Sequence, residues 1–214
     1  MRYLIVCGGK IDKEFGLNEI KTDGIDAIIA ADSGMDFLYE NGVTPDIIVG
    51  DFDSATTKAL DFFERKGQTE IHRLNPIKDD TDTEYAIRLA ISEGARSIVL
   101  LGATGSRIDH VLGNISLLGI GLESKADISI IDTNNRIRMA DKPVTIEKSA
   151  QYGRFVSLIA VTDDNEVSLR GFKYPVTDYS FDRSTSLGIS NEIIDDQAVI
   201  DIHRGKFIII ESKD

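Results

Sequence analysis

An apolar run passes into a glycine-bounded turn in the stretch Ser97-Ile98-Val99-Leu100-Leu101-Gly102-Ala103-Thr104-Gly105. The spacing of apolar residues after this turn predicts a helix over about 109–118, and a second apolar run follows at 128–131. The order of strand, turn, helix and strand is typical of a parallel α/β sheet. The stretch therefore predicts an α/β fold.

The residues before this stretch show the same alternation. The apolar runs are 3–7, 27–31 and 47–49, and the helical segments are 35–41, 55–66 and 81–93, each helical segment being followed by a glycine. Strands that alternate with helices form a mostly parallel sheet that is covered by helices on both faces. Ligands bind beyond the carboxyl ends of the strands in such sheets, so the residues directly after each strand are candidate site residues.

The pattern changes after residue 133. Asn134-Asn135 and Pro143 are turn signals, and helical periodicity disappears beyond them. The runs of β-formers that follow are 145–146, 155–161, 166–169, 199–202 and 207–210. Residues 203–206 are expected to form a hairpin turn between the last two strands. We therefore predict an α/β domain over 1–133 and a small β-sandwich over 134–214.

The composition argues against several classes of protein. The chain has 36 acidic and 24 basic residues, a formal net charge of −12, and no basic stripe, so nucleic-acid binding is not expected. No segment approaches the roughly 20 apolar residues of a membrane-spanning helix. Cys7 is the single cysteine, so no disulfide can form within the chain, which suits a reducing compartment. We expect a cytoplasmic protein with no nucleic-acid or membrane partner.

Two aspartates follow the strand predicted at 47–49, in Gly50-Asp51-Phe52-Asp53-Ser54. Side chains two apart in an extended chain point to the same side, so both carboxylates face one space. Proteins usually hold Mg²⁺ with one or two carboxylates together with substrate phosphates. An acidic turn, or a cap for the next helix, would use the same residues, because Asp is common in turns.

A second acidic group begins the clearest predicted helix, in Lys78-Asp79-Asp80-Thr81-Asp82-Thr83-Glu84. Acids in a first turn are favoured by the helix dipole, and Asp80 or Thr81 is a candidate N-cap. Those roles explain some of the acids but not all. A calcium loop that starts at Asp80 would need glycine at its sixth position, where Tyr85 stands.

A third group lies at the start of the helix predicted after the strand at 97–101. Its sequence is Gly102-Ala103-Thr104-Gly105-Ser106-Arg107-Ile108-Asp109-His110. Glycines expose backbone N–H groups, a helix N-terminus attracts anions, and the Arg107 fork suits phosphate. The Gly-Lys-Ser/Thr ending of a Walker loop is absent. Asp109 alone would also fit as an ordinary first-turn acid, and His110 as a structural histidine.

The three groups together predict a Mg²⁺-dependent enzyme that transfers phosphate groups from a nucleotide. Two acidic groups can hold the metal ion, the glycine- and arginine-containing helix start can hold phosphates, and all three fall at one edge of the predicted sheet. The sequence has no Gly-x-Ser-x-Gly elbow and no His-Glu-x-x-His motif.

These residues resemble those of the thiamine pyrophosphokinase family, and the resemblance covers nearly the whole chain. The supporting segments are Ala31-Asp32-Ser33-Gly34, Thr44-Pro45-Asp46, 50–54, 78–82, 102–110 with Asn114, and 184–192. The resemblance implies transfer of a diphosphate group from ATP to thiamine, which gives thiamine diphosphate and AMP. It also implies a catalytic α/β domain that binds ATP and metal, a β-sandwich that contributes to thiamine binding and dimerisation, and a homodimer.

The resemblance assigns roles to individual residues. The residues implied to bind Mg²⁺ are Asp51, Asp53, Asp79 and Asp82, and those implied to act in catalysis are Asp51, Asp53 and Asp82. The residues implied to bind ATP are Asp32, Asp79, Arg107 and Asp109. Ser190 and Asn191 are implied to bind thiamine. Either Asp53 or Asp82 would orient the attacking hydroxyl group. An ordinary polar turn is the alternative for Ser190 and Asn191.

The sequence departs from the pattern of the family in two places. Ser33 stands where relatives often have glycine, and there is no tryptophan to stack on thiamine, which leaves Tyr174, Tyr179 and Phe181 as candidates.

Two other functions are alternatives to the one that the resemblance implies. A metal-dependent nucleotide-sugar transferase would share the Asp-x-Asp pattern, but it would not require the second acidic group. A non-catalytic nucleotide or thiamine sensor would not need to keep the complete acidic set.

Overall fold

The computed structural model describes residues 1–52, 57–75 and 80–214, and only the backbone of Thr57. The chain divides into two compact units, Met1–Thr133 and Asn134–Asp214. No helix in the described ranges is both long enough and apolar enough to cross a membrane.

The first unit alternates strands and helices along the chain. Its elements are β1 (Arg2–Val6), α1 (Lys13–Ile20), β2 (Ala27–Ala31), α2 (Gly34–Glu40), β3 (Ile47–Gly50), α3 (Thr57–Lys66), β4 (Glu70–Arg73), α4 (Asp82–Ser92), β5 (Ser97–Leu101), α5 (Ile108–Ser124) and β6 (Asp127–Ile131). The six strands are parallel and lie in the order β4-β3-β2-β1-β5-β6. This arrangement confirms the predicted parallel sheet.

Different helices cover the two faces of this sheet. Val6 of β1 shares a hydrophobic core with Phe63 of α3. Cys7, the next residue along the chain, accepts a hydrogen bond from Thr83 of α4. Because successive side chains in a strand point to opposite faces, α3 and α4 lie on opposite faces, as the sequence predicted.

Helix α5 extends six residues beyond its predicted end at Leu118. Glycine weakens a helix by about 1 kcal/mol relative to alanine. The glycines of this segment are therefore the reason that the sequence did not predict the second half of the helix. The packing requires one of them, because a Cβ atom built on Gly121 would lie 2.6 Å from the carbonyl oxygen of Ala126. Gly121 thus lets α5 lie against β6, and this tertiary contact outweighs the low helix propensity.

The strand order reverses between β1 and β5, and the turns beyond them are in close contact. A Cβ atom on Gly34, at the start of α2, would lie 1.9 Å from the carbonyl oxygen of Val6. A Cβ atom on Gly9 would lie 2.3 Å from the carbonyl oxygen of Gly102. The reversal point is where α/β sheets bind ligands, so these glycines bring the turns together at the expected site edge.

The second unit is a sandwich of two antiparallel sheets. Its elements are β7 (Asn135–Ala140), β8 (Val144–Glu147), a 3₁₀ turn (Lys148–Ala150), β9 (Phe155–Ala160), β10 (Glu166–Arg170), β11 (Val176–Ser180), β12 (Asn191–Glu192), β13 (Gln197–Arg204) and β14 (Phe207–Ser212). One sheet has the order β7-β14-β9-β12 and the other β8-β13-β10-β11. Phe172, Phe181 and Phe207 lie in the core of the unit, and the predicted β-sandwich is confirmed.

The predicted hairpin at 203–206 is wrong. Strand β13 pairs with β8 and β10, whereas β14 pairs with β7 and β9, so the turn joins the two sheets. Gly205 has φ 86°, and a Cβ atom there would lie 2.3 Å from Oδ1 of Asn165. The glycine turn therefore connects the two sheets of the sandwich and packs against the loop at 162–165, and it does not join two paired strands of one sheet.

A buried carboxylate joins two strands of the second unit. The side chain of Glu211 on β14 is 1% exposed and accepts hydrogen bonds from Arg136 at 2.7 and 2.9 Å and from Arg138 at 3.0 Å. The backbone N–H of Tyr152 donates a further bond at 3.0 Å. A buried charge is tolerated when it is paired and hydrogen-bonded, and these contacts meet that condition.

We predict that Glu211→Gln lowers the free energy of unfolding by about 2–3 kcal/mol, because charge-assisted hydrogen bonds from two partly buried arginines lose their anionic acceptor. Urea unfolding followed by circular dichroism measures the change. Asp201→Asn is the matched control, since Asp201 pairs at 2.9 Å with Arg170, whose side chain is 60% exposed. Its loss should be about 0–1 kcal/mol. Equal losses in the two variants would contradict the role given to Glu211.

Candidate active site

Three carboxylates from separate elements converge at the carboxyl edge of the parallel sheet. Asp32 follows β2, Asp51 follows β3, and Asp82 is the first residue of α4. One oxygen atom from each lies within 4.8 Å of the others, and all three residues are half-buried. The structure thus brings Asp51 and Asp82 together from the two acidic stretches and adds Asp32, which the sequence assigned to the nucleotide.

The backbone is strained beside this carboxylate cluster. Asp32 has φ 48° and Phe52 has φ 61°, both in the left-handed region that residues other than glycine rarely adopt. The N–H of Asp32 donates to the carbonyl oxygen of Val49 at 2.8 Å, and its own carbonyl oxygen accepts from the N–H of Met35 at 3.2 Å. Such strain costs about 1–3 kcal/mol per residue and is concentrated at functional sites.

Helix α4 begins with a side-chain cap directly before Asp82. The hydroxyl oxygen of Thr81 accepts a hydrogen bond from the N–H of Glu84 at 3.2 Å. Thr81 is therefore the N-cap, one of the two candidates that the sequence offered. Asp82 then occupies the first helical position, where the helix dipole favours a negative charge.

The donor set of this cluster fits a hard divalent cation. Carboxylates this close together repel one another, and partial burial weakens the screening of that repulsion by water. Magnesium, manganese and calcium ions prefer oxygen ligands of this kind. Asp32, Asp51 and Asp82 are the described residues that would hold such an ion.

Two of the predicted metal-binding residues, Asp53 and Asp79, lie outside the described residues. Their assignments to Mg²⁺, and those of Asp53 to catalysis and Asp79 to ATP, stay predictions.

Arg107 and Asp109 form an exposed ion pair at the start of α5. Arg107 donates from Nη2 to Oδ2 of Asp109 at 2.6 Å and from Nε to Oδ1 at 3.2 Å. The hydrogen bond from Arg107 lowers the pKa of the Asp109 carboxyl group, and the same bond raises the pKa of Arg107. Asn114 fastens this helix to the turn after β5, since its Nδ2 donates to the carbonyl oxygen of Ala103 at 2.8 Å. Two of the guanidinium N–H donors of Arg107 are therefore engaged by Asp109.

In the second unit, Ser190 and Asn191 differ in what their side chains can contact. Ser190 is exposed and has φ 59°, and its N–H donates to Oγ of Ser157 at 3.0 Å. Asn191 is 7% exposed. Its Oδ1 accepts from the N–H of Tyr174 at 3.1 Å, and its Nδ2 donates to the carbonyl oxygen of Tyr174 at 2.9 Å. Asn191 thus holds a turn in place, whereas the Ser190 side chain faces solvent.

The three aromatic candidates for stacking are not equivalent. Phe181 is 3% exposed and packs edge-to-face on Phe207 with a centroid distance of 5.7 Å, so it is a core residue and is removed from the candidates. Tyr174 is 62% exposed and Tyr179 is 39% exposed. The sequence could not separate the three, because burial depends on how the two sheets pack.

A groove of about 610 Å³ lies on the surface of α2 and α3. The lining residues are Tyr39, Lys58, Asp61, Phe62, Arg65 and Lys66. None of them is a predicted site residue, and the groove brings no carboxylates together. This groove is therefore separate from the carboxylate cluster.

Comparisons with known proteins cover both units. The model for thiamin pyrophosphokinase, catalytic domain, matches residues 21–130, and the model for thiamin pyrophosphokinase, vitamin B1 binding domain, matches residues 143–207. The chain is 35% identical over 188 residues to the thiamine pyrophosphokinase of Bacillus subtilis (strain 168), with 87% of each chain covered.

Solved structures are similar over the full length. A Bacillus subtilis thiamine pyrophosphokinase structure superposes with a TM-score of 0.89 at 32% identity, with 100% of both chains covered. The Geobacillus thermodenitrificans thiamin pyrophosphokinase gives a TM-score of 0.86 at 30% identity, covering 100% of this chain and 98% of the other. Yeast thiamin pyrophosphokinase, at 18% identity and a TM-score of 0.80 over 99% of this chain and 86% of its own, shares the fold.

We predict that Mg²⁺ raises the melting temperature, because a cation removes the repulsion within the carboxylate cluster. A ligand present at 100 times its dissociation constant stabilises the folded state by about 2.7 kcal/mol. Differential scanning fluorimetry with increasing MgCl₂ measures the shift. Asp51→Asn should remove most of it, whereas Asp61→Asn, an exposed acid on α3, should keep it. A shift of the same size in both variants would mean that the ion binds elsewhere.

Proposed function

The chain belongs to the thiamine pyrophosphokinase family, and on that premise we propose which residues carry its chemistry. It is a thiamine diphosphokinase, which transfers a diphosphate group from ATP to thiamine and gives thiamine diphosphate and AMP. The match of both family models, one to each unit, carries this assignment. The nucleotide-sugar transferase and the sensor are not favoured, because neither accounts for the match in both halves.

The family requires a divalent cation, and we propose that here the ion is Mg²⁺, held by Asp32, Asp51 and Asp82. Supporting this choice, the donors are carboxylate oxygens, which Mg²⁺ prefers, and the cluster contains no softer ligand. When bound, the ion neutralises charge on phosphate oxygens. Asp53 and Asp79 complete the proposed ligand set.

The proposed reaction is in-line attack of the thiamine hydroxyl oxygen on the β-phosphorus of ATP. A new oxygen–phosphorus bond forms while the bridge between the α- and β-phosphates breaks. AMP leaves with the bridging oxygen, and the hydroxyl proton is released to solvent. Transfers of this kind depend mainly on positioning and charge neutralisation. Arg107 offsets charge on the phosphates and Asp109 holds the arginine in place beforehand. Either Asp53 or Asp82 orients the attacking hydroxyl group.

The second unit is proposed to contribute to thiamine binding and to a homodimer. Its match to the vitamin B1 binding model supports the first role, with Ser190 as the residue whose exposed side chain can contact the ligand. Exposed apolar residues support the second role. Leu187 is 58% exposed and Ile189 is 50% exposed, and Gly188 between them bonds to Leu158 of β9, near the 38% exposed Ile159.

We propose that the protein is located in the cytoplasm. ATP is a substrate of the reaction, and the single, buried Cys7 needs no oxidising environment.

We expect the protein, mixed with ATP, Mg²⁺ and thiamine, to form AMP and thiamine diphosphate in equal amounts, as measured by ion-exchange chromatography. Asp51→Asn should lower kcat about 100-fold or more, because a charge that holds the cation and phosphates is lost. Asp61→Asn serves as the control and should retain full activity. Formation of ADP instead of AMP, or an Asp51→Asn variant as active as the wild type, would be incompatible with the proposal.

For the homodimer, light scattering after size-exclusion chromatography should give twice the mass of 23.6 kDa. Ile189→Glu should shift the protein toward monomer, because a charge within an apolar interface is costly. Phe62→Glu, on the exposed surface of α3, should leave the mass unchanged. A wild-type protein that is monomeric at assay concentrations would refute this part of the proposal.

A further inference from the structure

Helix α4 is attached to strand β1 by two side-chain hydrogen bonds, one near each end. Near its last turn, Glu93 accepts a hydrogen bond at 2.8 Å from the hydroxyl group of Tyr3, at the start of β1. At the first turn, the hydroxyl group of Thr83 donates to Sγ of Cys7, just past the end of β1, over 3.7 Å. The two bonds join the same elements, but the second is next to the carboxylate cluster.

Cys7 is a fixed and neutral anchor. It is 3% exposed, and its N–H donates to the carbonyl oxygen of Leu101 at 2.8 Å, which fixes it where the strand order reverses. Burial raises the pKa of the Cys7 thiol to about 11, so the group carries no charge at neutral pH. A neutral sulfur adds no negative charge to this edge of the sheet, yet it can still accept a hydrogen bond.

Asp82 differs from the other two members of the cluster in how it is held. Asp32 directly follows β2 and Asp51 directly follows β3, so the paired strands fix both. Asp82 lies on the first turn of α4, and the cap at Thr81 fixes only the local backbone of the helix. Like charges within the cluster disfavour the approach of this turn to the sheet, and the bond from Thr83 to Cys7 holds the turn there.

We propose that Thr83 and Cys7 are positioning residues that hold Asp82 in the cation-binding cluster. The inference rests on the proposed cation site and adds to it two residues that touch neither substrate nor ion. Partners that orient metal ligands in this way typically contribute about 10- to 100-fold to metal affinity.

The test compares variants that each remove one of the two bonds. Thr83→Val keeps the side-chain shape and removes the hydroxyl group, whereas Tyr3→Phe removes the distant bond to Glu93. Binding of Mn²⁺ is measured by electron paramagnetic resonance, and the melting temperature is measured in parallel. We expect Thr83→Val to bind Mn²⁺ about tenfold more weakly. Tyr3→Phe should lower the melting temperature and keep the Mn²⁺ affinity.

Rescue variants separate positioning from folding. Thr83→Ser and Cys7→Ser each keep a hydrogen-bonding pair and should bind Mn²⁺ nearly as the wild type does, while Cys7→Ala should resemble Thr83→Val. Equal Mn²⁺ affinity in Thr83→Val, Tyr3→Phe and the wild type would overturn this inference alone. A wild-type protein that binds no Mn²⁺ would instead overturn the cation site on which it rests.

Discussion

The arrangement of this site depends on direct backbone contact between the turns that follow β1, β2 and β5. Gly34 lies so close to the carbonyl oxygen of Val6 that a methyl group would overlap it, and a methyl group on Gly9 would likewise overlap the carbonyl oxygen of Gly102. Helix α2 can therefore start directly beside the end of β1, and Asp32 is carried to the edge where Asp51 and Asp82 also lie. These contacts therefore help to place one member of the carboxylate cluster.

Much of the fold could be predicted, because buried parallel strands are written as short apolar runs. The strands of the first unit with such runs were found, whereas β4 was missed. Its sequence Glu-Ile-His-Arg is mostly polar, since one side of an edge strand has no neighbour. Strand β7 was also missed, because it has no continuous apolar run and begins at the turn signal Asn134-Asn135; its Arg136 and Arg138 meet the buried Glu211 instead. The local sequence of β7 does not show that its arginines pair with a carboxylate more than 70 residues away.

The candidate site was predicted in part. Asp51 and Asp82 were recognised as members of acidic groups, and Asp32 was recognised as a residue directly after a strand, whose role as a nucleotide contact came from the resemblance. Its closeness to the other two follows from the register of β2 against β3, which pairs Ala31 with Val49 and so aligns the residues beyond both strands. The contact of Thr83 with Cys7 was also hidden, because it joins residues 76 positions apart. Such distances are set by packing, and a single sequence carries no signal for them.

The left-handed backbone at Asp32 limits which residues can stand there. Asparagine and aspartate tolerate this conformation, whereas a longer acid such as glutamate pays the full steric penalty. Asparagine at position 32 would suit the backbone but would remove a negative charge from the carboxylate cluster, whereas glutamate would keep the charge and strain the turn. Aspartate is the acidic residue that suits both this backbone conformation and the proposed cation site.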